Sequence, residues 1–192
     1  MNPQRLVVGI SGASAPIYGI RTLEMLQAVS EVETHLVLTA ASERTIALET
    51  HYALDQVTSL ADVFYETDDL AASISSGSFK TMGMIVTPCS ISTMSCIAGC
   101  ISKDLLTRAA DVTLKERRPL VLMIRESPLH LGHLRRMTEL AEMGATIAPP
   151  IPSFYHDPHN LEDLIAHSIG RALDVFHLEL PWLERWTTPG RT

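Results

Sequence analysis

Four groups of residues in this chain combine hydroxyls, small side chains and charge where chemistry could be done. They are Ser11-Gly12-Ala13-Ser14, Thr39, Thr87-Pro88-Cys89-Ser90 and Arg125-Glu126. Each follows directly on a short apolar run, at positions 6–10, 35–38, 84–86 and 120–124. Such runs, alternating with longer helical patterns, read as parallel strands buried on both faces. In an open α/β sheet ligands bind beyond the carboxyl ends of the strands, where the next helices present unpaired N–H groups. Ser14, Thr39, Ser90 and Arg125 then converge on one crevice with hydroxyls, backbone donors and a guanidinium. That set suits a phosphate-bearing ligand.

The turn Gly9-Ile10-Ser11-Gly12-Ala13-Ser14 is not a G-x-G-x-x-G fingerprint, and a tight turn that merely packs a helix is its plain alternative. Thr39 sharpens the reading. A dinucleotide site places an acid near this position to hold a ribose, so a hydroxyl here favours a mononucleotide.

Further along, Arg108 and Lys115 lie seven residues apart on one predicted helix, close to Arg117 and Arg118. They share a face and could grip one anion, or form a solvated face with pairs such as Asp111–Lys115. Arg125-Glu126 is more pointed, because a charged pair after five apolar residues costs desolvation unless a ligand or partner satisfies it. Arginine can grip a phosphate bidentately while the carboxylate orients it or handles protons. His130/His133 and His156/His159 have i,i+3 spacing but no accompanying carboxylate set, so they read as surface or helix-end histidines rather than metal ligands. Cys89, Cys96 and Cys100 contain no C-x-x-C pair and read as buried thiols in a reducing, cytoplasmic setting.

The elements that must position these groups fit one domain of 192 residues, with 46% hydrophobic and 19% charged residues. A net charge of −7 and only 5% aromatic residues disfavour nucleic acid and anionic membranes as partners. No apolar stretch nears the ~18 residues of a membrane span, and the N-terminus has no signal-peptide layout. The apolar stripe from Ile17 to Val29 predicts a first helix, and residues 40–50 a second, ending near Glu49. Residues 62–65 suit a short third strand, and the small, polar stretch 67–80 a loop or short helix acting as a flap. Helices are expected from Ser90, over 103–117 and over 129–143, the last stopped by Gly144. Residues 145–148 make a last short strand. The proline-rich stretch 149–156 must be a rigid extended loop that delivers Tyr155. Asn160 can cap a helix over 161–176 that carries Arg171. Residues 177–192, with Trp182 and Trp186, read as a docking tail.

Taken together, Gly9-Ile10-Ser11-Gly12-Ala13-Ser14, Pro88-Cys89-Ser90, Arg108-Ala109-Ala110-Asp111-Val112, Leu114-Lys115-Glu116-Arg117-Arg118-Pro119-Leu120, Arg125-Glu126 and Phe154-Tyr155-His156 resemble the UbiX-type flavin prenyltransferases, from about Leu6 to Trp186. The resemblance implies a flavodoxin-like or Rossmann three-layer α/β sandwich with a mostly parallel sheet. It implies a homo-oligomer, commonly a dodecamer, with active sites between subunits. The implied reaction joins the dimethylallyl group of dimethylallyl monophosphate to N5 and C6 of reduced FMN without a metal, making prenylated FMN for a partner decarboxylase. By position, Gly12, Ala13, Ser14, Thr39, Ser90, Ile91, Ser92, Thr93 and Arg125 would hold FMN. Lys115, Glu126, Tyr155 and Arg171 would bind the prenyl phosphate, with Arg108 helping from a nearby or neighbouring subunit. Glu49, Lys115, Glu126 and Tyr155 would be catalytic. The chain departs from the family pattern at Ala15-Pro16, where Gly-Ala is more usual, and at Thr39, where serine is common. A flavin-dependent cysteine decarboxylase and a non-catalytic FMN-binding subunit are the competing readings.

Overall fold

The computed structural model describes residues 4–180, 182, 183 and 185. Of the expected tail, Trp186 and the other residues of 186–192, with 181 and 184, lie outside them. Among the described residues six strands form one all-parallel sheet: β1 (Gln4–Ile10), β2 (Val32–Leu38), β3 (Val63–Tyr65), β4 (Gly83–Cys89), β5 (Leu120–Ile124) and β6 (Thr146–Ile147). Their spatial order is β3-β2-β1-β4-β5-β6, so the winding reverses between β1 and β4. The carboxyl ends of those two strands therefore flank the switch-point crevice where ligands bind in such sheets.

Alternation along the strands explains the three layers. Leu6, Val8 and Ile10 of β1, with Ile85, Val121 and Met123, face a cluster completed by Ile20, Leu23 and Leu26 of α1 (Ile17–Leu26) and by Ile165, Ile169 and Leu173 of the last α-helix. Val7, Met84, Val86, Leu122 and Ile124 point the other way, toward Met94, Leu105, Leu106, Ala110 and Leu140. Helix α1 presses close to the sheet at Gly19, where a Cβ would stand 2.5 Å from both Ile10 Cδ1 and Thr87 O.

The remaining helices are α2 (Ala40–Glu49), α3 (Leu54–Thr58), α4 (Ile91–Ala98), α5 (Leu105–Lys115), α6 (Leu131–Glu142) and α7 (Leu161–Leu173). Their starts follow capping chemistry: Thr39, Ser90, Asp104 and Asn160 each accept a hydrogen bond from a first-turn amide. After α6, Gly144 takes φ +100°, the left-handed conformation glycine supplies most readily. The sequence reading does not anticipate α3, whose short span leaves little periodicity to detect; Gln56 closes its first turn on the Ala53 amide at 2.8 Å. In the expected tail, Leu178, Leu180 and Leu183 are buried in the α1/α7 cluster. The Trp182 ring lies against Gly170 of α7.

Candidate active site

The crevice is built around a residue that sequence reasoning placed only within a turn. Ser11, fully buried at the tip of β1, donates its hydroxyl to Pro88 O (2.8 Å) and accepts the Ser90 amide (2.7 Å). It locks the ends of β1 and β4 together at the switch point. The Ser90 hydroxyl accepts from the Thr93 amide at 3.2 Å, which caps α4. The first turn of α4 contains no acidic residue, and Lys103 Nζ reaches Ser92 Oγ at 3.2 Å. Hydroxyls, helix amides and an ammonium thus meet at one helix start, a donor set that fits an anionic phosphate.

The start of α1 is different. Ala41 of α2 packs against Gly12, where a Cβ would come within 2.3 Å of the Ala41 Cβ. At the far end of the same helix, Glu49 Oε2 accepts from Ser14 Oγ (2.9 Å) and the Ala15 amide (2.7 Å). Helix α2 therefore spans the β1–α1 turn, and its carboxylate occupies donors that the sequence reading assigned to the ligand. Ala15 holds φ +67°, a left-handed conformation at the position where the resembling family favours glycine.

Arg125 and Glu126 follow β5 at the same edge of the sheet, and both are exposed. Within the chain Glu126 Oε1 accepts the Ser127 amide at 2.9 Å. Burial raises the Tyr18 phenol above its ordinary range, while its hydrogen bond to Ser168 and the nearby Arg125 charge oppose that rise. Ser168 also lines a cleft of about 230 Å³ beside the end of β6, together with Ser153, Tyr155, His167 and Arg171. Tyr155 and Arg171 are thus brought together, close to the Arg125 corner. Arg171 is anchored on Asp174, which also binds Arg185 at 2.7 and 2.9 Å.

Lys115 is elsewhere in the chain. Helix α5 begins near the carboxyl end of β3, with the Leu105 amide on Thr67 O, and descends to the opposite edge. There Pro119 O, four residues past Lys115, accepts the Met84 amide at the start of β4. Within one chain Lys115 is separated from the crevice by about the length of β4, ~20 Å. Its ammonium pairs with Glu116 at 2.5 Å, and this contact, with Arg118 adding to it, holds the Glu116 carboxyl below the usual range. The expected Asp111–Lys115 pair is absent among the described residues, because Asp111 binds Arg108 at 2.8 Å. Arg108 also reaches Ser75 O, and Arg118 reaches Gly77 O and Phe79 O, at 3.2, 2.7 and 2.8 Å. The stretch expected as a flap is therefore laced along the basic side of α5.

The cysteines divide. Cys89 is fully buried, which pushes its thiol up to about 12, whereas Cys96 is half-buried and Cys100 exposed. The expectation of buried thiols thus holds only for Cys89, because Cys100 lies beyond the end of α4 on the surface. Among the described residues, no three His, Cys, Asp or Glu side chains stand where they could hold a metal ion. His130 caps α6 by accepting the Gly132 amide, and its ring meets that of His133 at a 33° tilt. No helix of the described residues is long and apolar enough to cross a membrane.

Residues 1–170 match the Flavoprotein family. Flavin prenyltransferase UbiX of Escherichia coli K12 is 57% identical over 178 residues, covering 93% of this chain and 94% of that protein. The chain belongs to the UbiX flavin prenyltransferases. The crystal structure of AnUbiX (PadA1), a complex with FMN and dimethylallyl pyrophosphate, superposes with a TM-score of 0.94 at 47% identity and covers 97% of this chain and 98% of that one. A dodecameric FMN-dependent UbiX-like decarboxylase from Escherichia coli O157:H7 also gives a TM-score of 0.94, at 45% identity over 96% of this chain and 100% of that one. Family membership and the Rossmann-type three-layer fold agree with the sequence reading. The strand order is the doubly wound one, and every strand pairing among the described residues is parallel.

Proposed function

We propose that this protein transfers the dimethylallyl group of dimethylallyl monophosphate to reduced FMN, making prenylated FMN for a partner decarboxylase. The carrying observation is the 57% identity to a flavin prenyltransferase along nearly the whole chain. A structural neighbour that holds FMN together with dimethylallyl pyrophosphate supports prenyl transfer to the flavin.

The residues at the switch point fit FMN. Ser90, Ile91, Ser92 and Thr93, with Lys103, supply the donors for its phosphate. Gly12, Ala13, Ser14, Thr39 and Arg125 border the remaining volume. Reduced FMN supplies the electron-rich N5 and C6 positions that accept the allyl group. The protein's task is to make the allylic phosphate leave. Arg171 and Lys115 would hold that phosphate beside the cleft, Glu126 would orient it, and Tyr155 would donate a proton to the departing oxygen. Glu49, held by Ser14 Oγ and the Ala15 amide, or the released phosphate would take up the proton lost on ring closure.

Lys115 and Arg108 reach this site from another copy of the chain. One chain separates Lys115 from its own crevice by most of the sheet, and a dodecameric relative shows that close homologues assemble. Such an assembly, with sites shared between subunits, completes the cationic pocket. Three unbridged cysteines suit a reducing cytoplasm.

Anaerobic incubation with reduced FMN and dimethylallyl monophosphate should yield a flavin heavier by one prenyl unit, and unmodified flavin refutes the activity. Lys115→Ala and Tyr155→Phe should each retain flavin but lose turnover, which a non-catalytic flavin-binding subunit would not do. Mixing and reassembling the two inactive variants should restore part of the activity. No recovery would place Lys115 and Tyr155 in the same chain's site.

A further inference from the structure

Beneath Tyr155 lies a chain of polar side chains that the reaction as described leaves unused. His167, only 7% exposed, holds Tyr155 Oη at 2.8 Å through Nε2 and Ser153 Oγ at 2.9 Å through Nδ1. Ser153 Oγ also lies 3.4 Å from His156 Nδ1. The His156 ring stacks on His167 with centroids 4.1 Å apart and planes 7° from parallel. Tyr155 meets both rings edge-on, at 5.7 Å and 5.2 Å. The four residues come from the proline-rich loop and from the middle of α7, so loop and helix are joined through this stack.

Hydrogen positions along the chain follow from its far end. His156 Nε2 is buried and has no hydrogen-bond partner among the described residues. A buried N–H left unpaired is costlier and rarer than an unpaired acceptor. The bare nitrogen of His156 is therefore Nε2, and its proton sits on Nδ1. That N–H donates to Ser153 Oγ, whose hydroxyl must then donate onward to His167 Nδ1. His167 is left with its proton on Nε2, which donates to Tyr155 Oη. Each heteroatom in the series donates in one direction, from His156 toward the tyrosine.

We propose that His167, set by Ser153 and His156, is a positioning residue that makes Tyr155 accept from below and so commits the phenolic proton to the phosphate in the cleft. The opposite polarity would turn the Tyr155 O–H down onto His167 and away from the ligand. The inference rests on the prenyl-transfer reading for its catalytic consequence, although the proton order stands on geometry alone. It assigns functional weight to Ser153 and His167, which the sequence reading did not single out, and to His156, which it read as a surface or helix-end histidine. The only signal there was the Ser153-Phe154-Tyr155-His156 run followed by one histidine on the helix that carries Arg171.

Neutron diffraction from crystals of the perdeuterated protein tests the order directly. Deuterons are expected on His156 Nδ1 and His167 Nε2, and one on His156 Nε2 or His167 Nδ1 overturns the proposal. Kinetics test the consequence. His167→Leu should retain FMN affinity and hold KM for dimethylallyl phosphate nearly constant, with a lower melting temperature from the lost buried hydrogen bonds. Its kcat should fall by about 100-fold, the scale set by losing one orienting contact to a proton donor. His167→Gln, whose amide can donate to Tyr155 and accept from Ser153, should recover most of the rate. Ser153→Ala, at a half-buried loop position, should lower kcat in the same direction. Wild-type kcat in both His167→Leu and Ser153→Ala refutes the positioning role. Failure of the wild-type protein to prenylate FMN would instead strike the activity, with the deuteron positions still deciding the proton order.

Discussion

The contact between Gly12 and Ala41 makes a quantitative claim about how α2 is seated over the crevice. A methyl group at position 12 would stand 2.3 Å from the Ala41 Cβ and 3.1 Å from its carbonyl carbon. Apolar carbons settle at about 3.5–4.0 Å, so Gly12→Ala must drive the start of α2 outward by more than an ångström. Overpacking of this kind costs about 1–3 kcal/mol. The displacement matters for function because α2 carries Thr39 at its cap and Glu49 at its end, so flavin affinity should fall with stability. Ala41→Gly alone should cost about 1 kcal/mol or less in helix propensity. Once that substitution removes the Cβ, the nearest remaining atoms at position 41 are the backbone carbonyl carbon and Cα, at 3.1 and 3.3 Å, which small adjustments absorb. The double variant should therefore be nearly as stable as Ala41→Gly, a favourable coupling of about 1–2 kcal/mol. Urea denaturation of the four proteins, with FMN titration of each, measures it. Strict additivity, or a Gly12→Ala protein with wild-type stability, refutes the claim that this close approach seats α2.

Two further outcomes follow from local geometry. Ala15→Gly removes a left-handed alanine, a conformation costing about 1–2 kcal/mol for a residue with a Cβ, and against the ~0.5–1 kcal/mol entropic penalty of glycine the protein should gain up to about 1.5 kcal/mol; a lower denaturation midpoint would show that the turn is not strained. His35 gives a pH dependence: burial, opposed by the Glu33 hydrogen bond, lowers its folded value below 6.5, with Arg5 and Asp62 the other charges acting on it. The unfolded chain then takes up a proton first as pH falls, so this contribution is full above about pH 6.5 and is lost on acidification toward the folded value. Melting temperatures should decline over that window, and His35→Gln should flatten the decline; an unchanged slope would assign it to other groups.

Much of this architecture was legible in the chain because its signals are local. Apolar runs of strand length, the helix start at Ser90, the cap Asn160 and the stop at Gly144 each act over a few residues, and the elements form where those signals stand. Parallel pairing followed from runs apolar on both faces, and the crevice from where those runs stop. Pairing partners were another matter. Asp111 could bind Arg108 or Lys115 on helix spacing alone, and only packing against residues 73–80 decides for Arg108. Arg125 and Glu126 follow a fully buried strand, yet the chain emerges at the strand tip and leaves both exposed beside the crevice. The resemblance gathered Lys115 with Tyr155 and Arg171, but the descent of α5 to the far edge of the sheet separates them in one chain. Ser11 locking β1 to β4, Glu49 closing over the α1 turn and His167 beneath Tyr155 are contacts across 79, 35 and 12 residues. Composition and periodicity determine which segments are helix or strand, because those depend on neighbours in sequence. Which hydroxyl, carboxylate or imidazole meets which is decided by the sheet order and helix crossings, because hydrogen bonds fall off within an ångström and distant residues reach that range only once the core has packed.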